Sequence, residues 1–271
     1  MTKTKEVCFE EQTFQKRLKS MLCVDFRRMF TMPFVYIMLG IAFLMPVLIL
    51  IMTSAMDGTT SVNPTTNEIT VITGFSTVWQ IIGTSSSSNS AMAMDITSMC
   101  NINLIYFIAA VLVCIFVADD FRSGYAKNLF TVRSKKTDYV ISKTLVCFVG
   151  GALMLILFFI GSMIGGAIAK ISFDLGDVSA IQVVMCVLSK ILLMAVFVPI
   201  YLVMSVFAKQ KSWLSILCSM GASMLLFAMV PMITPLNATI LNVILCVAGG
   251  AMFCFGLGSV SNVILKKTSL V

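Results

Sequence analysis

The chain has 271 residues, 59% of them hydrophobic and 11% charged, with a formal net charge of +7. Its mean hydropathy of +1.00 lies far outside the range of soluble proteins, and apolar stretches long enough to cross a bilayer recur along it. The composition therefore excludes a soluble protein and predicts an all-α integral membrane protein with six transmembrane helices.

The positive charge is distributed unevenly. Seventeen of the nineteen lysines and arginines fall in segments that we place on one side of the membrane. Lys and Arg close to a span resist translocation, so this side is predicted to be the cytoplasm. That pattern accounts for the charge, and we expect no nucleic-acid partner. The chain has no histidine, which excludes His-based metal sites and Ser-His or Cys-His nucleophiles.

Residues 1–33 are predicted to form a cytoplasmic tail that ends in an amphipathic helix. Its large apolar side chains recur at helical spacing: Phe14, Leu18, Met21, Leu22, Phe26, Met29 and Phe30. Cations populate the other faces. Such a helix is typical of the inner membrane interface, where its apolar side dips into the acyl boundary.

Residues 34–271 are predicted to form a six-span membrane domain with both termini in the cytoplasm. The spans are expected at about 34–56, 102–118, 144–169, 191–208, 213–233 and 239–265. Residues 57–101 contain no Lys or Arg, so they form a predicted external loop, with short helices at 69–82 and 91–99. Gly161 and Gly165 make a GxxxG pattern that favours close packing of two helix backbones.

Lys190 interrupts an apolar stretch, residues 178–208, that is too long for one simple span. An ionisable group at mid-membrane is costly. We therefore predict that Lys190 lies at the outer boundary with its amine reaching outward, and that residues 178–188 form a separate short outer helix. The alternative is a Lys190 that lines a wet cavity and faces a substrate.

Residues 119–143 form a predicted cytoplasmic loop with six cations, wedged between the second and third spans. Within it Tyr125, Leu129 and Val132 recur at the spacing of one helical face. The pattern predicts a short amphipathic helix that rests either on the bilayer or on a cytoplasmic partner.

Motifs for chemistry are missing from the sequence. There is no GxxxxGK[ST] phosphate loop, no HExxH and no GxSxG, so the chain is not predicted to be an enzyme. Every Asp and Glu falls in a predicted loop, tail or span end. The spans then lack the paired ionisable positions that coupled carriers usually hold at mid-membrane.

This layout resembles the membrane subunits of ABC transporters of the type-2 exporter class over nearly the whole chain. That family typically has an acidic residue and a Gly just after the second span, then a basic stretch and a Lys that enters the third. The matching residues are Asp119, Asp120, Gly124 and Lys143, around the basic residues Arg133, Lys135 and Lys136. Tyr125 stands where the family often has Thr, and a Pro common before the basic stretch is absent. The polar external loop also resembles permeases of bacteriocin and lantibiotic export or immunity systems.

The resemblance implies a permease subunit in the cell membrane that moves a substrate such as a peptide or an antibiotic. It also implies a second permease subunit, identical or different, and a separate ATPase that binds ATP and Mg. The short helix in the loop at residues 119–143 would couple the permease to this ATPase. We expect its contact residues to be Gly124, Tyr125, Leu129, Phe130 and Val132, with the apolar side chains seated in a groove of the ATPase and the surrounding cations on membrane lipids.

Two other classes of function stay open on the sequence. A secondary carrier or channel would transport without an ATPase. A sensor or scaffold subunit would bind a partner without transporting. Co-purification of a P-loop ATPase would distinguish an ABC permease from a secondary carrier or channel. Substrate-responsive ATPase activity would distinguish it from a sensor or scaffold.

Overall fold

The computed structural model describes most of the chain. The described residues are 14–58, 60–62, 69–71, 74–83, 100–132, 136–176, 178–209 and 211–267. They form a helical bundle, and the helices are α1 Phe14–Thr31, α2 Pro33–Met56, α3 Leu104–Arg122, α4 Tyr125–Val132, α5 Lys136–Ala169, α6 Ala180–Ala208, α7 Ser212–Phe227, α8 Val230–Ile233 and α9 Ile240–Lys267.

Five of these helices, α2, α3, α5, α6 and α9, are long and apolar enough to cross a membrane. The apolar helix α7 is shorter, with 16 residues. The chain is therefore a multi-pass helical membrane protein.

Helix α6 corrects one sequence prediction. Residues 178–188 were expected to form a helix of their own, but Ala180–Ala208 is one continuous helix of 29 residues. Ser179 and Gln182 form a capping box that starts it, because each side chain bonds the other residue's backbone N–H. Nothing between Leu188 and Ile191 breaks a helix, and the Lys190 amine finds partners inside the bundle.

The GxxxG pattern brings α5 close to another helix, as the sequence predicted, and the structure shows that this helix is α2. A Cβ atom at Gly161 would clash with the Phe43 carbonyl oxygen, and one at Gly165 would lie 2.8 Å from Val47 Cα. Only a residue without a side chain permits this approach. The two helices meet around Pro46, which lies inside α2.

Two contacts show that α2 and α5 run in the same direction and that α9 runs in the opposite direction. Ser54 near the end of α2 contacts the Ala169 carbonyl at the end of α5, so these helices finish together. At the start of α5, Lys136 donates to the Leu265 carbonyl near the end of α9. We call the end that carries the start of α5 and the end of α9 the α4 end, and the other the opposite end.

The segment between α2 and α3 covers part of the opposite end. Residues Thr60–Val62 and Ile69–Val71 pair as two antiparallel strands, and Val78–Ile81 form a 3-10 helix. The helix expected over residues 69–82 is therefore wrong for most of that range. Trp79 donates to the Phe173 carbonyl at 3.0 Å, which joins this segment to the turn after α5. Residues 91–99 lie outside the described part of the chain.

Candidate functional site

The functional site predicted from the sequence lies at the α4 end, where α3 finishes and α4 begins. Gly124 separates the two helices with a φ of +75°, a conformation that favours glycine. The Ser123 backbone N–H and hydroxyl both bond the Asp119 carbonyl and complete α3. The chain can therefore turn sharply here and lay α4 across the helix ends.

The structure brings together three of the family-motif residues. The Lys143 amine lies 2.7 Å from Asp120 Oδ2, and both side chains are fully buried. Asp119 is half exposed and accepts from Arg28 at 3.3 Å. The Asp120–Lys143 pair thus joins the end of α3 to the first turns of α5.

The site also contains Asp25, which the sequence analysis missed. Its Oδ1 lies 2.9 Å from the Lys143 amine, and its Oδ2 accepts from the Ser142 hydroxyl at 2.6 Å. Asp25 is 0% exposed. The Lys143 amine therefore lies within ion-pair distance of two buried carboxylates from two different helices. The sequence signal was the spacing Met21–Asp25–Met29, which places an acid on the apolar face of α1.

Arg28 and Tyr139 complete the site around Asp120. Arg28 donates to Asp120 Oδ1, and the Tyr139 hydroxyl donates to Asp120 Oδ2 at 2.9 Å. Burial alone would lower the pKa of Arg28, but Asp120 raises it, and the net shift is upward. We call Asp25, Arg28, Asp120, Tyr139 and Lys143 the charge cluster. Its two acids balance its two cations, so it is neutral as a whole.

The charge cluster overturns two expectations for this part of the chain. Asp25, Asp120 and Asp138 are buried, although acids in the predicted tail, loop and span ends were expected not to be buried. Helix α1 also packs on the bundle instead of dipping all its apolar residues into lipid, because Met21 and Met29 are buried. Arg17 pairs with Asp138 at 3.1 Å and adds a further link from α1 to α5.

The apolar face of α4 turns inward. The Tyr125 ring lies under the Arg28 guanidinium, 4.0 Å from ring centroid to Cζ. Burial raises the pKa of Tyr125, and the charge of Asp25 adds to the effect, so its phenol stays protonated. Leu129 and Phe130 are partly buried against the core, and Phe130 meets the Tyr139 ring edge-on at 5.3 Å. These side chains therefore contact the chain itself, at the ends of α1 and α3 and the start of α5, and their contact with an ATPase stays a prediction.

The opposite face of α4 is polar and exposed. It carries Lys127, Asn128 and Thr131. The Val132 side chain and residues 133–135 lie outside what the structure describes. Gly124 borders open space, since a Cβ atom there would meet nothing within 4 Å.

Lys190 lies in α6 near the opposite end of the bundle from the charge cluster. It is 1% exposed, and its amine donates to Asn103 Oδ1 at 2.8 Å and to Thr234 Oγ1 at 3.0 Å. The prediction that this amine reaches outward is wrong, because the ends of α3 and α8 supply oxygens that cover it.

Among the described residues, no group of three or more metal-ligating side chains is placed to hold a metal. The charge cluster ties three helices, α1, α3 and α5, together at one end of a bundle of membrane-length helices. This arrangement defines a membrane protein whose α4 end is built to hold a short surface helix.

Comparison with known proteins gives the family. Residues 31–225 match the sequence profile of a family described as ABC-2 family transporter protein. The match covers most of the chain, and the chain therefore belongs to this family of ABC transporter membrane subunits. No curated protein and no solved structure matches it.

Proposed function

We propose that this chain is a six-span permease subunit of the cell membrane, driven by a separate ATPase that binds ATP and Mg and docks on the exposed face of α4. The observation that carries the proposal is the two-sided contact of α4. One face is packed on the charge cluster through Tyr125 and Phe130, and the other presents Lys127, Asn128 and Thr131 to solvent.

The charge cluster can transmit a displacement of α4 to the membrane helices. When ATP closes the ATPase dimer, α4 is displaced, and Tyr125 passes the displacement to Arg28 of α1. Arg28 and Lys143 share the Asp120 carboxylate, so α1, α3 and α5 are held to one another by short charged contacts. Separating those charges inside the bundle is costly, and the three helices therefore move together. ATP binding can shift the helices from one arrangement to the other only if the ATP-bound ATPase binds the two arrangements with different affinity.

Helix α1 is proposed to touch lipid with the face that it does not bury. Phe14, Val24 and Phe30 are exposed there, and Lys16, Lys19 and Arg27 lie exposed on the same helix. Apolar side chains beside cations favour the boundary of a membrane with anionic lipids. Helix α1 would then be both a lipid contact and a member of the charge cluster.

The proposal also includes one further crossing, formed by α7 and α8, and a second permease subunit. Helices α7 and α8 follow one another with two residues between them, and together they are long enough for the fifth crossing. Helices α2 and α9 carry large exposed apolar side chains along their length. These faces suit lipid and a second permease subunit, and for the cargo we keep the class implied by the resemblance, a peptide or an antibiotic.

The experiment is co-purification of a P-loop ATPase encoded beside this chain. We expect Lys127→Glu combined with Asn128→Ala to abolish most of the association, because both changes lie on the exposed face of α4 and neither touches the core. The matched control is Lys211→Glu, an exposed lysine in the turn between α6 and α7.

Each outcome decides between the functions. Loss of the ATPase in the α4 variant, but not in the control, supports the proposal. Equal recovery of the ATPase by both variants overturns docking on this face. Transport by the purified chain without any ATPase favours the carrier or channel, and ATPase binding without substrate-responsive activity favours the sensor or scaffold.

A further inference from the structure

Two of the described lysines are buried, Lys143 and Lys190, and Lys190 lies outside the charge cluster. It is the eleventh residue of α6 and 1% exposed. Its two partners come from other parts of the bundle: Asn103 directly precedes α3, and Thr234 directly follows α8. One side chain therefore connects three elements at the opposite end.

The hydrogen atoms around Lys190 can be assigned. The Thr234 hydroxyl donates its proton to the Val230 carbonyl at 2.8 Å, which leaves its lone pairs for the lysine. An ammonium group only donates, so the Asn103 amide must present its oxygen to it. A second contact reinforces the junction of α3 and α6, since the Tyr106 hydroxyl donates to the Lys190 carbonyl at 2.9 Å.

The surroundings of Lys190 are closed on the side away from α4. Gly83 approaches so closely that a Cβ atom there would lie 3.3 Å from Cys186 Sγ and 3.2 Å from the Leu236 nitrogen. Cys186 itself is buried and donates to the Thr234 carbonyl at 3.6 Å. Water must displace these contacts before it can reach the amine.

The charge of Lys190 is only partly compensated. Of the described residues, no acidic side chain pairs with it, and both acceptors are neutral. A buried cation without a counter-ion is costly in a membrane protein, and hydration removes that cost. The two hydrogen bonds therefore hold the opposite end shut, while a charge that no acid among the described residues neutralises favours opening.

We infer that Lys190 is a latch that holds α3, α6 and α8 together at the opposite end and that is released, with hydration of its amine, when this end opens. The inference rests on the proposed function only in assigning the opening to a transport cycle. The latch itself is a property of this chain and is measurable without an ATPase.

Cys186 is a built-in reporter for the latch. In a variant in which Cys186 is the only cysteine, we would measure its alkylation by a polar maleimide with the protein in lipid nanodiscs. Both faces of a nanodisc are open to the reagent, so the orientation of the chain does not matter. Thr234→Val removes one acceptor, and we expect alkylation to become about tenfold faster or more, the shift expected from loss of one hydrogen bond to a charged group.

The control for Thr234→Val is Thr53→Val. The Thr53 hydroxyl bonds only carbonyls of its own helix, Ile49 and Leu50, so we expect no change in alkylation. Adding Lys190→Met to Thr234→Val removes the unpaired charge, and alkylation should return to near the starting rate. General loosening of the fold would not be reversed by this second change.

A third variant keeps the test decisive if Thr234→Val folds poorly. Asn103→Asp has the same shape and gives Lys190 a counter-ion, so alkylation should become several-fold slower than in the parent. Unchanged alkylation in both Thr234→Val and Asn103→Asp, or failure of Lys190→Met to reverse the effect of Thr234→Val, would overturn the latch. Neither result would bear on ATPase docking at α4.

Discussion

The Lys143 amine lies 2.7 Å from Asp120 Oδ2 in the interior of the bundle, where α3 ends and α5 begins. The same amine pairs with Asp25 of α1. Two carboxylates from two helices thus share one cation, and removing that cation leaves Asp25 buried without a cation and leaves Asp120 with Arg28 alone. A break of this kind has a much larger effect than the loss of a surface ion pair.

We expect Lys143→Met to lower the free energy of unfolding by about 3 to 5 kcal/mol, because it leaves the buried Asp25 without a cation and removes one of the two cations that pair with Asp120. Thermal unfolding in detergent would measure this, with Lys127→Met on the exposed face of α4 as the control that changes little. Adding Asp25→Asn to Lys143→Met should recover part of the loss. Equal melting temperatures for the Lys143 and Lys127 variants would contradict the ion-pair account.

Tyr125 is expected to govern coupling more than docking. Its ring packs on Arg28, while the exposed face of α4 is formed by other residues. Tyr125→Ala should remove about 1 kcal/mol of cation–π and packing energy and leave ATPase co-purification intact, with transport and substrate-stimulated ATPase activity reduced. Tyr125→Phe keeps the ring and should behave like the parent. Loss of the ATPase from Tyr125→Ala at normal expression would instead support the apolar face as the docking face.

The close approach of α2 and α5 gives a prediction with an internal control. Gly161→Ala places a methyl group against the Phe43 carbonyl, and the helices must separate, at a cost of about 1 to 3 kcal/mol. Gly221→Ala in α7 meets nothing within 4 Å and should be neutral or stabilising. Thermal unfolding of the two variants compares them directly, and no difference between them would argue against tight packing at Gly161.

Orientation is predicted from charge. Residues 1–33 and 119–143 contain thirteen cations together and residues 57–101 contain none, so we expect the first two segments in the cytoplasm. On a cysteine-free background, Ser85→Cys should react with an impermeant maleimide in intact cells, and Lys127→Cys only after the cells are opened. The reverse pattern would invert the proposed topology.

The class of protein, the approximate positions of the membrane-length helices and the place of α4 could all be predicted from the sequence. These follow from local patterns, since hydrophobic length decides which segments can cross a bilayer and helical spacing shows which residues share a face. It also pointed to Asp119, Asp120 and Lys143, through a resemblance to a family. The close packing at Gly161 and Gly165 was likewise predictable from their spacing alone.

The contacts of those residues could not be predicted from the sequence, because they depend on how the helices pack. Asp25 and Lys143 are far apart in the chain and meet because α1 packs on α5, a pairing that no local pattern specifies. The direction of the α4 apolar face depended on whether the chain's own helix ends offered it a surface. Lys190 is buried because the side-chain oxygens of Asn103 and Thr234, which come from distant helix ends, accept hydrogen bonds from its amine. A side chain's cost of burial is set by its neighbours in space, and those are fixed by how the helices pack.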